Sequence, residues 1–379
     1  MNIFSITMTL VSPPYDDGPK NLVFGIAKRL KKHNFFFVSF LFKKFKVEDN
    51  IKFIGSPFQN SPSLRMSVMQ QVYIFFVILL NLRRIEVFQF FFTPKEYFAR
   101  FFKIMLEKAN KRSVQVISST HSLYAGTNKT NIKDLFFSDS VIALSDFSKQ
   151  RLESDGVGNV VRIYPGVDLD RFDKRRIKND FFVKDRIPGV KYIIYPGAYR
   201  VLNLSYSFKD LVSIILEVKK VFGNVKFVLA CKVREKKDSF LEKEFKETAR
   251  QFGVDKEIHY LNIVDDMPAL LNSCDMVILP SYKHLFGILE LPLVLLEASA
   301  LEKPVIYTAA SPLDELRDAG IGVGLKDSSC QSYANTIIDL LKDKNKSDNI
   351  GFTSKSAIIK NFNLEKMSAE FDAVYNSLR

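Results

Sequence analysis

Residues 274–308 read CDMVILPSYKHLFGILELPLVLLEASALEKPVIYT, and the way this stretch divides decides the fold. MVIL (276–279) and VIY (305–307) are short apolar runs suited to buried strands, and LPLVLLEASA (291–300) between them has the length of a helix. Strand, helix and strand at this spacing make a βαβ unit with two parallel strands. The helix itself poses a question. Its Leu, Val and Ala residues surround it on every side, as in a buried helix, yet Glu290 stands just before it and Glu297 within it. Buried acids are rare unless something pairs with them, so either this helix end is wet or it meets a polar ligand.

The same alternation extends in both directions. Upstream, strands are expected at Ile3–Leu10, Phe35–Phe42, Ile85–Phe92, Val114–Thr120, Val141–Leu144 and Val160–Ile163, with helices at Leu22–Lys31, Leu64–Leu82 and Lys95–Asn110. The charged stretch FDKRRIKNDFFVKDRIP (172–188) reads as a linker. A second series follows, with strands at Tyr192–Tyr195, Val225–Ala230, Ile258–Leu261, Met276–Leu279 and Val305–Tyr307. Its helices are expected at Phe208–Val221, Ser239–Phe252, from Pro268, and at Leu291–Ala300, and Asn363–Arg379 reads as a last amphipathic helix. Two α/β halves in tandem place ligands at the carboxyl ends of their strands.

Composition agrees with two domains, since 379 residues exceed one ordinary core and 47% are hydrophobic. The formal charge of +13 points to an anionic partner: nucleic acid, an acidic membrane surface or a phosphorylated substrate. Lys28, Arg29, Lys31, Lys32, Lys43, Lys44 and Lys46 form a cluster free of acids and interleaved with phenylalanines. Cys231, Cys274 and Cys330 have no paired spacing, so neither a disulfide framework nor a zinc site is indicated, which suits a reducing cytoplasm. The opening NIFSITMTLV reads as a first strand and lacks the basic start and cleavage site of a secretory signal. VYIFFVILL (72–80) is far shorter than the roughly 20 residues that cross a bilayer, so contact with a membrane is expected at its surface only.

Several chemistries find no support. The first strand is followed by VSPPYDDGPKN, with Gly18 its only glycine, and no GxGxxG or GxxxxGK[ST] opens a helix. His33, His121, His259 and His284 are scattered, no metal-ligand spacing occurs, and GxSxG is absent. The informative residues stand at strand ends. His121 follows VQVISST directly, where an open α/β sheet presents side chains to a ligand. In VRIYPGVDLDRF, Gly166 permits a tight turn and Asp168 is placed to cap or bind nearby.

Taken in order, His121, ALSDFSKQRL (143–152), IYPGVDLDRF (163–172), IIYPGAYR (193–200), CDMVILPS (274–281) and LPLVLLEASALEKPVIYT (291–308) resemble the GT-B glycosyltransferases of family 4, which retain anomeric configuration and use nucleotide sugars. The resemblance runs from the first strand to about Asp314. It implies an α/β protein of two Rossmann-like domains facing across a cleft. Residues 1–180 would bind the acceptor, 185–360 the donor, and the helix 361–379 would return to the first domain. A sugar would pass from a UDP- or GDP-sugar to a glycan or lipid-linked acceptor during surface polysaccharide or glycoconjugate synthesis, with no metal, no other cofactor and no nucleic acid. The implied location is the cytoplasm, peripherally on the inner face of the membrane, with an anionic membrane surface as a further partner.

The resemblance also assigns residues and answers the question of the two acids. Glu290 would contact the donor sugar or phosphate side and Glu297 the nucleotide ribose, since a carboxylate accepts two hydroxyl hydrogen bonds from a diol. Backbone groups of Phe286, Gly287, Ile288 and Leu289 would face the donor, with Pro292 in the first helical turn. Ile263 and Val264 would meet the base, Gly18 would allow close approach of the donor phosphate or acceptor, and His121 would stabilise the oxocarbenium-like state without attacking it. The acceptor hydroxyl would enter on the leaving-group face and pass its proton to the departing phosphate.

Departures from the family pattern are specific. Six residues separate the glutamates here against the usual seven, so Leu289 holds the strict position, and Glu302 replaces the usual glycine before Lys-Pro. The Arg and Lys-Gly that normally hold the diphosphate are missing from GAYRVLNLSYSF, leaving Arg200, Lys232 or Arg234 to serve. These losses keep two rivals open: a catalytically silent GT-B subunit that binds a partner or membrane, and a nucleotide-sugar epimerase.

Overall fold

The computed structural model describes residues 1–7, 11, 18–40, 47–58, 68–94, 96–117, 131–182, 186–282 and 290–379. His121, Phe286, Gly287, Ile288 and Leu289, and the cations Lys43, Lys44 and Lys46, lie outside the described residues. The chain divides into two units, Met1–Gly166 with Leu364–Arg379, and Val167–Asn363.

In unit 1 the aromatic and β-branched runs become strands, the central ones covered on both faces. They are Asn2–Thr7 (β1), Asn34–Phe40 (β2), Ile51–Ser56 (β3), Val87–Phe91 (β4), Arg112–Ile117 (β5), Ser140–Ala143 (β6) and Val160–Arg162 (β7). Their order is β3-β2-β1-β4-β5-β6-β7, and every neighbouring pair is parallel. The helices Gly18–Arg29 (α1), Val68–Asn81 (α2), Glu96–Lys108 (α3) and Asp146–Ser154 (α4) connect them. Because β1 to β2 steps one way along the sheet and β3 to β4 to β5 the other, right-handed crossovers put α1 on one face and α2 and α3 on the opposite one. Packing agrees: Ile74 and Ile78 of α2 and Phe102 and Leu106 of α3 share one core cluster with Phe4, Phe36, Phe88 and Phe90.

The other face of the same strands carries a polar chain. Ser5 Oγ donates to Gln89 Oε1 at 2.6 Å, and Gln89 Nε2 donates to Tyr375 Oη at 2.7 Å in the C-terminal helix Leu364–Ser377. That helix packs on α1, where a Cβ on Gly25 would stand 3.1 Å from Leu364. Arg29 with Glu365 (2.7 Å), and Lys32 and His33 with Asp372 (2.6 and 2.7 Å), add ionic ties. Tyr375→Phe strands the buried Gln89 amide without its acceptor, an expected loss of about 1–3 kcal/mol in denaturant unfolding, whereas adding Gln89→Leu and Ser5→Ala recovers most of it.

Unit 2 repeats the plan. Strands Lys191–Gly197 (β8), Val225–Cys231 (β9), Ile258–Leu261 (β10), Met276–Leu279 (β11), Val305–Thr308 (β12) and Val323–Leu325 (β13) lie in the order β10-β9-β8-β11-β12-β13, all parallel. Between them run Tyr199–Ser205 (α5), Phe208–Val221 (α6), Lys236–Gln251 (α7), Met267–Ser273 (α8), Leu293–Ala300 (α9) and Asp314–Asp318 (α10), and after the last strand come Cys330–Lys342 (α11) and Lys344–Asn361 (α12). Helix α6 shows why such segments form. Ser207 caps it by accepting from Asp210 N at 3.0 Å, and Phe208, Leu211, Ile215 and Val218 make a helical stripe that is fully buried.

The division between the units falls earlier than the expected 180–185 boundary. Val167 N donates to Phe362 O at 2.8 Å, Phe181 N to Ser273 Oγ at 2.8 Å, and Phe182 stacks on Tyr192 with centroids 4.6 Å apart. The charged stretch is therefore packed onto unit 2 by its buried Phe172 and Phe182.

Candidate active site

In unit 2 the strand order reverses between β8 and β11, and an open parallel sheet forms its ligand crevice at the carboxyl ends on either side of such a point. The segments leaving β8 and β11 therefore build the site. The one after β11 is pinned at its start. Thr308 Oγ1 donates to Ser281 O at 2.5 Å and pairs with Tyr333 Oη at 2.8 Å, while Tyr282 N donates to Ser205 O at 2.8 Å. Tyr282 Oη also reaches Asp210, and its ring lies against Tyr206.

Past residues 283–289 the chain returns with Glu290, which is buried, and Leu291. Pro292 is the N-cap of α9 with φ −70° and ψ 120°, so the helix opens at Leu293, two residues later than its expected start. Glu297 lies one turn in. The residue as a whole keeps partial solvent contact, but its carboxyl sits deep among protein atoms. Burial pushes that carboxyl up to about 7, against the fields of Arg171 and Lys232, which favour its ionised form. No hydrogen bond to the Glu297 carboxylate is made among the described residues. An acid held near neutrality beside two cations, at the switch point of a sheet, is suited to accept hydroxyl hydrogen bonds from a ligand that also carries negative charge.

The other expected donor residues separate into two groups. Lys232 leaves β9 directly and bears on Glu297. Ile263 and Val264 occupy the turn between β10 and α8, where Ile263 is exposed and Asp266 caps α8 by accepting from Ala269 N at 3.0 Å. This turn is joined to the Lys232 segment by Asn262, whose Oδ1 accepts from Val233 N at 2.8 Å. Arg200, by contrast, is engaged within the protein. It lies in α5, and its guanidinium donates to Asp238 at 2.9 and 3.0 Å and pairs with Glu235. Those acids form the capping box of α7. Burial alone would raise Asp238, but the Arg234 amide and the Arg200 guanidinium outweigh it and hold the carboxyl below its usual range. Gly18 begins α1 in unit 1, just past the carboxyl end of β1, where that sheet reverses between β1 and β4.

Two contributors were not expected from sequence. Arg171, in IYPGVDLDRF, carries no mark of a site residue, and Asn262 looks like any turn residue; only the charge-rich VDLDRF repeat of acids and Arg next to a Gly turn offered a signal. Burial pushes the Cys274 thiol up to about 12 and that of Cys231 higher still, which leaves neither poised as a nucleophile. Among the described residues no group of three or more His, Cys, Asp or Glu is arranged to hold a metal ion.

Comparison with known proteins bears on this unit first. Residues 187–356 match the family described as Glycosyl transferases group 1. Over 127 residues, 33% of the chain and 32% of the relative, the sequence is 28% identical to N-acetyl-alpha-D-glucosaminyl L-malate synthase of Bacillus anthracis. Over 100 residues, 26% of the chain and 21% of the relative, it is 36% identical to D-inositol 3-phosphate glycosyltransferase of Salinispora arenicola. The chain thus spans about a third or less of the length of the curated relatives it matches. Among solved structures, HepE of Anabaena in complex with UDP and glucose superposes with a TM-score of 0.76 at 18% identity, covering 99% of both chains. The resemblance drawn from the ordered motifs therefore holds at the level of fold: an α/β protein with the GT-B pair of parallel-sheet units.

Proposed function

We propose that the protein is a retaining glycosyltransferase of the family 4 type, taking a sugar from a UDP- or GDP-sugar bound by unit 2. The observation that carries this reading is Glu297, an acid held near neutrality beside Arg171 and Lys232 at the switch point of the sheet, within the segment that matches the group 1 model. HepE, of like fold, is known with UDP-glucose, which supports a nucleotide sugar as donor. Glu297 accepts the ribose hydroxyls, Glu290 faces the sugar side, and the backbone of residues 286–289 meets the donor. Lys232 and Arg171 take over the diphosphate charge from Arg200, which the capping box of α7 retains. Ile263 and Val264 bound the base.

Unit 1 holds the acceptor, a glycan or lipid-linked sugar of surface polysaccharide or glycoconjugate synthesis, with Gly18 permitting close approach and His121 stabilising the developing positive charge. The acceptor hydroxyl attacks from the leaving-group face and its proton goes to the departing phosphate, so no protein nucleophile and no metal are assigned. The reading places the enzyme in the cytoplasm, peripherally on the membrane. One observation favours a second reading, a catalytically silent subunit: the nearest cation to the family's diphosphate position, Arg200, is tied to protein carboxylates.

Incubation with a panel of UDP- and GDP-sugars separates the readings. Slow hydrolysis or transfer is expected, with His121→Ala lowering turnover about tenfold, equivalent to about 1.4 kcal/mol, while nucleotide affinity is kept. Binding without turnover would select the silent subunit, interconversion of sugars an epimerase, and unchanged turnover in His121→Ala would remove that residue from the site.

A further inference from the structure

Unit 1 shows two different faces. Sequence alone suggests membrane contact through the Lys28–Lys46 cluster together with Arg83 and Arg84. On the side of α1, three of the four described cations of that cluster are matched within the protein: Lys28 lies 3.6 Å from Glu48, Arg29 2.7 Å from Glu365 and Lys32 2.6 Å from Asp372. On the opposite side, α2 and α3 run next to each other, with Phe75 and Phe101 in edge contact at 5.0 Å. Each helix buries one stripe in the core and turns a second apolar stripe outward. On α2 the outward stripe is Met69, Val72, Phe76 and Leu80, at intervals of three and four residues, with Leu80 84% and Phe76 55% exposed. On α3 it is Tyr97, Phe101 and Ile104, again at helical intervals.

Both stripes end in cations. Arg83 and Arg84, both exposed, follow the end of α2, with the Arg84 guanidinium 4.3 Å from the Phe36 ring centroid, and Lys108 continues the stripe of α3. Since both helices run antiparallel to the strands, these cations gather at the amino end of the sheet, away from the carboxyl ends where ligands bind. Helix α2 itself contains no charged residue. Across 68–84 and 96–108 there are five cations (Arg83, Arg84, Arg100, Lys103, Lys108) against two acids (Glu96, Glu107), and Glu96 is neutralised by Arg100 at 2.5 Å.

We propose that this α2–α3 face docks unit 1 on an anionic lipid bilayer, with the apolar stripes entering the headgroup boundary and the cations at their ends meeting lipid phosphates. An exposed apolar surface of this extent on adjacent helices marks an interaction site, and apolar stripes bordered by cations are the pattern of interfacial helices. Charge selects the occupant. A second copy seated on the same face would bring a surplus of cations against an equal surplus, whereas an anionic leaflet complements it. Helix α2 is too short to span, and no described helix is long and apolar enough to cross a membrane. The proposal rests on the peripheral attachment of the preceding reading and centres it on the α2–α3 face, keeping Arg83 and Arg84 of the expected basic group and leaving out the paired Lys28, Arg29 and Lys32; vesicle binding and sugar transfer are measured separately, so either can fail alone.

The chain contains no tryptophan, so one introduced residue is a clean reporter. Leu80→Trp and, as a control on exposed α7, Phe240→Trp are mixed with vesicles of roughly equal phosphatidylglycerol and phosphatidylcholine, or of phosphatidylcholine alone. Emission of Leu80→Trp is expected to shift blue with the anionic vesicles, to return at high salt as exposed charges are screened, and to stay unchanged for Phe240→Trp. In the otherwise natural chain, Phe76→Gln with Leu80→Gln and Ile104→Gln should lower the fraction sedimenting with anionic vesicles at least about tenfold, while Lys31→Gln on the α1 side does not. Retained binding in the triple variant, no binding by the parent chain, or a blue-shifted Leu80→Trp in a two-chain particle without lipid would overturn the proposal. The melting curve of the triple variant, expected to match or exceed that of the parent, guards against unfolding as the cause.

Discussion

Glu297→Gln is expected to stabilise the protein and weaken nucleotide binding at once. The carboxyl is raised to about 7 from an ordinary 4.5, so the folded state holds its proton where the unfolded state has lost it. For an acid shifted in this direction, stability is undiminished below about 4.5, falls as pH rises through the window to 7, and stays reduced above it. Gln, neutral throughout, removes that cost. The variant should therefore match the parent below about pH 4 and exceed it at pH 8 by on the order of 1–3 kcal/mol. Binding moves oppositely. A carboxylate takes both hydroxyls of a ribose as acceptor, and loss of such a charged hydrogen bond costs about 1.5–3 kcal/mol, or roughly 10- to 150-fold in affinity. Since the ligand favours the ionised form, affinity of the parent for UDP or GDP should rise between pH 6 and 8, and that of the variant should not. Calorimetry at pH 8 giving equal affinities would end the ribose assignment. Greater stability joined to weaker binding is a pair of results that general damage to the fold does not produce.

Gly351→Ala should damage the fold although helix propensity argues for it. Within a helix, Ala is favoured over Gly by about 1 kcal/mol. Gly351 lies in α12, however, where an added Cβ would stand 2.2 Å from Glu302 O and 2.8 Å from Glu302 C. The obstacle is backbone, so a rotamer change gives no escape. It is also fixed in place: Glu302 holds φ +59° in the turn that ends α9, and its carboxylate is clamped by Lys174 at 2.8 Å and Lys355 at 2.7 Å. Those two lysines, through hydrogen bonds to the carboxylate, keep the Glu302 carboxyl below its usual range. Overpacking against such a point costs about 1–3 kcal/mol and sometimes more, and a net loss of about 2–4 kcal/mol is expected in denaturant unfolding. A variant as stable as the parent would show that α12 does not rest on this turn. Since α9 carries Glu297, a surviving Gly351→Ala protein should also bind nucleotide more weakly.

Elements with a clean period were legible in sequence. Phe208–Val221 and Met276–Leu279 match their expected bounds because the helix buries a complete stripe and the strand both faces. β3 is not announced, because IKFIGS is partly exposed along much of its length. α5 is not announced either, because at seven residues it is too short to display a period. The misjudged boundary has a related cause: FDKRRIKNDFF is dominated by charge, while the contacts that hold it come from two phenylalanines. In the site, Glu297 was visible because an acid amid Leu, Val and Ala contradicts its surroundings. Arg200 was visible as a cation, but its engagement was not, because Asp238 lies 38 residues further on and only the fold brings the two together.

The passage of the chain through unit 1, away to unit 2 and back has a consequence for synthesis. Gln89 waits for Tyr375, 286 residues downstream, before the polar chain on that face of the sheet is closed. At ribosomal speeds of about 5–20 residues per second, the delay is on the order of tens of seconds. During that interval the nascent first sheet lacks the helix whose Tyr375 ring packs edge-on to Phe35 and whose Leu364 lies against Gly25, whereas unit 2 has its whole sequence once Asn363 has emerged. The half begun first is finished last, and chaperone demand should concentrate on it.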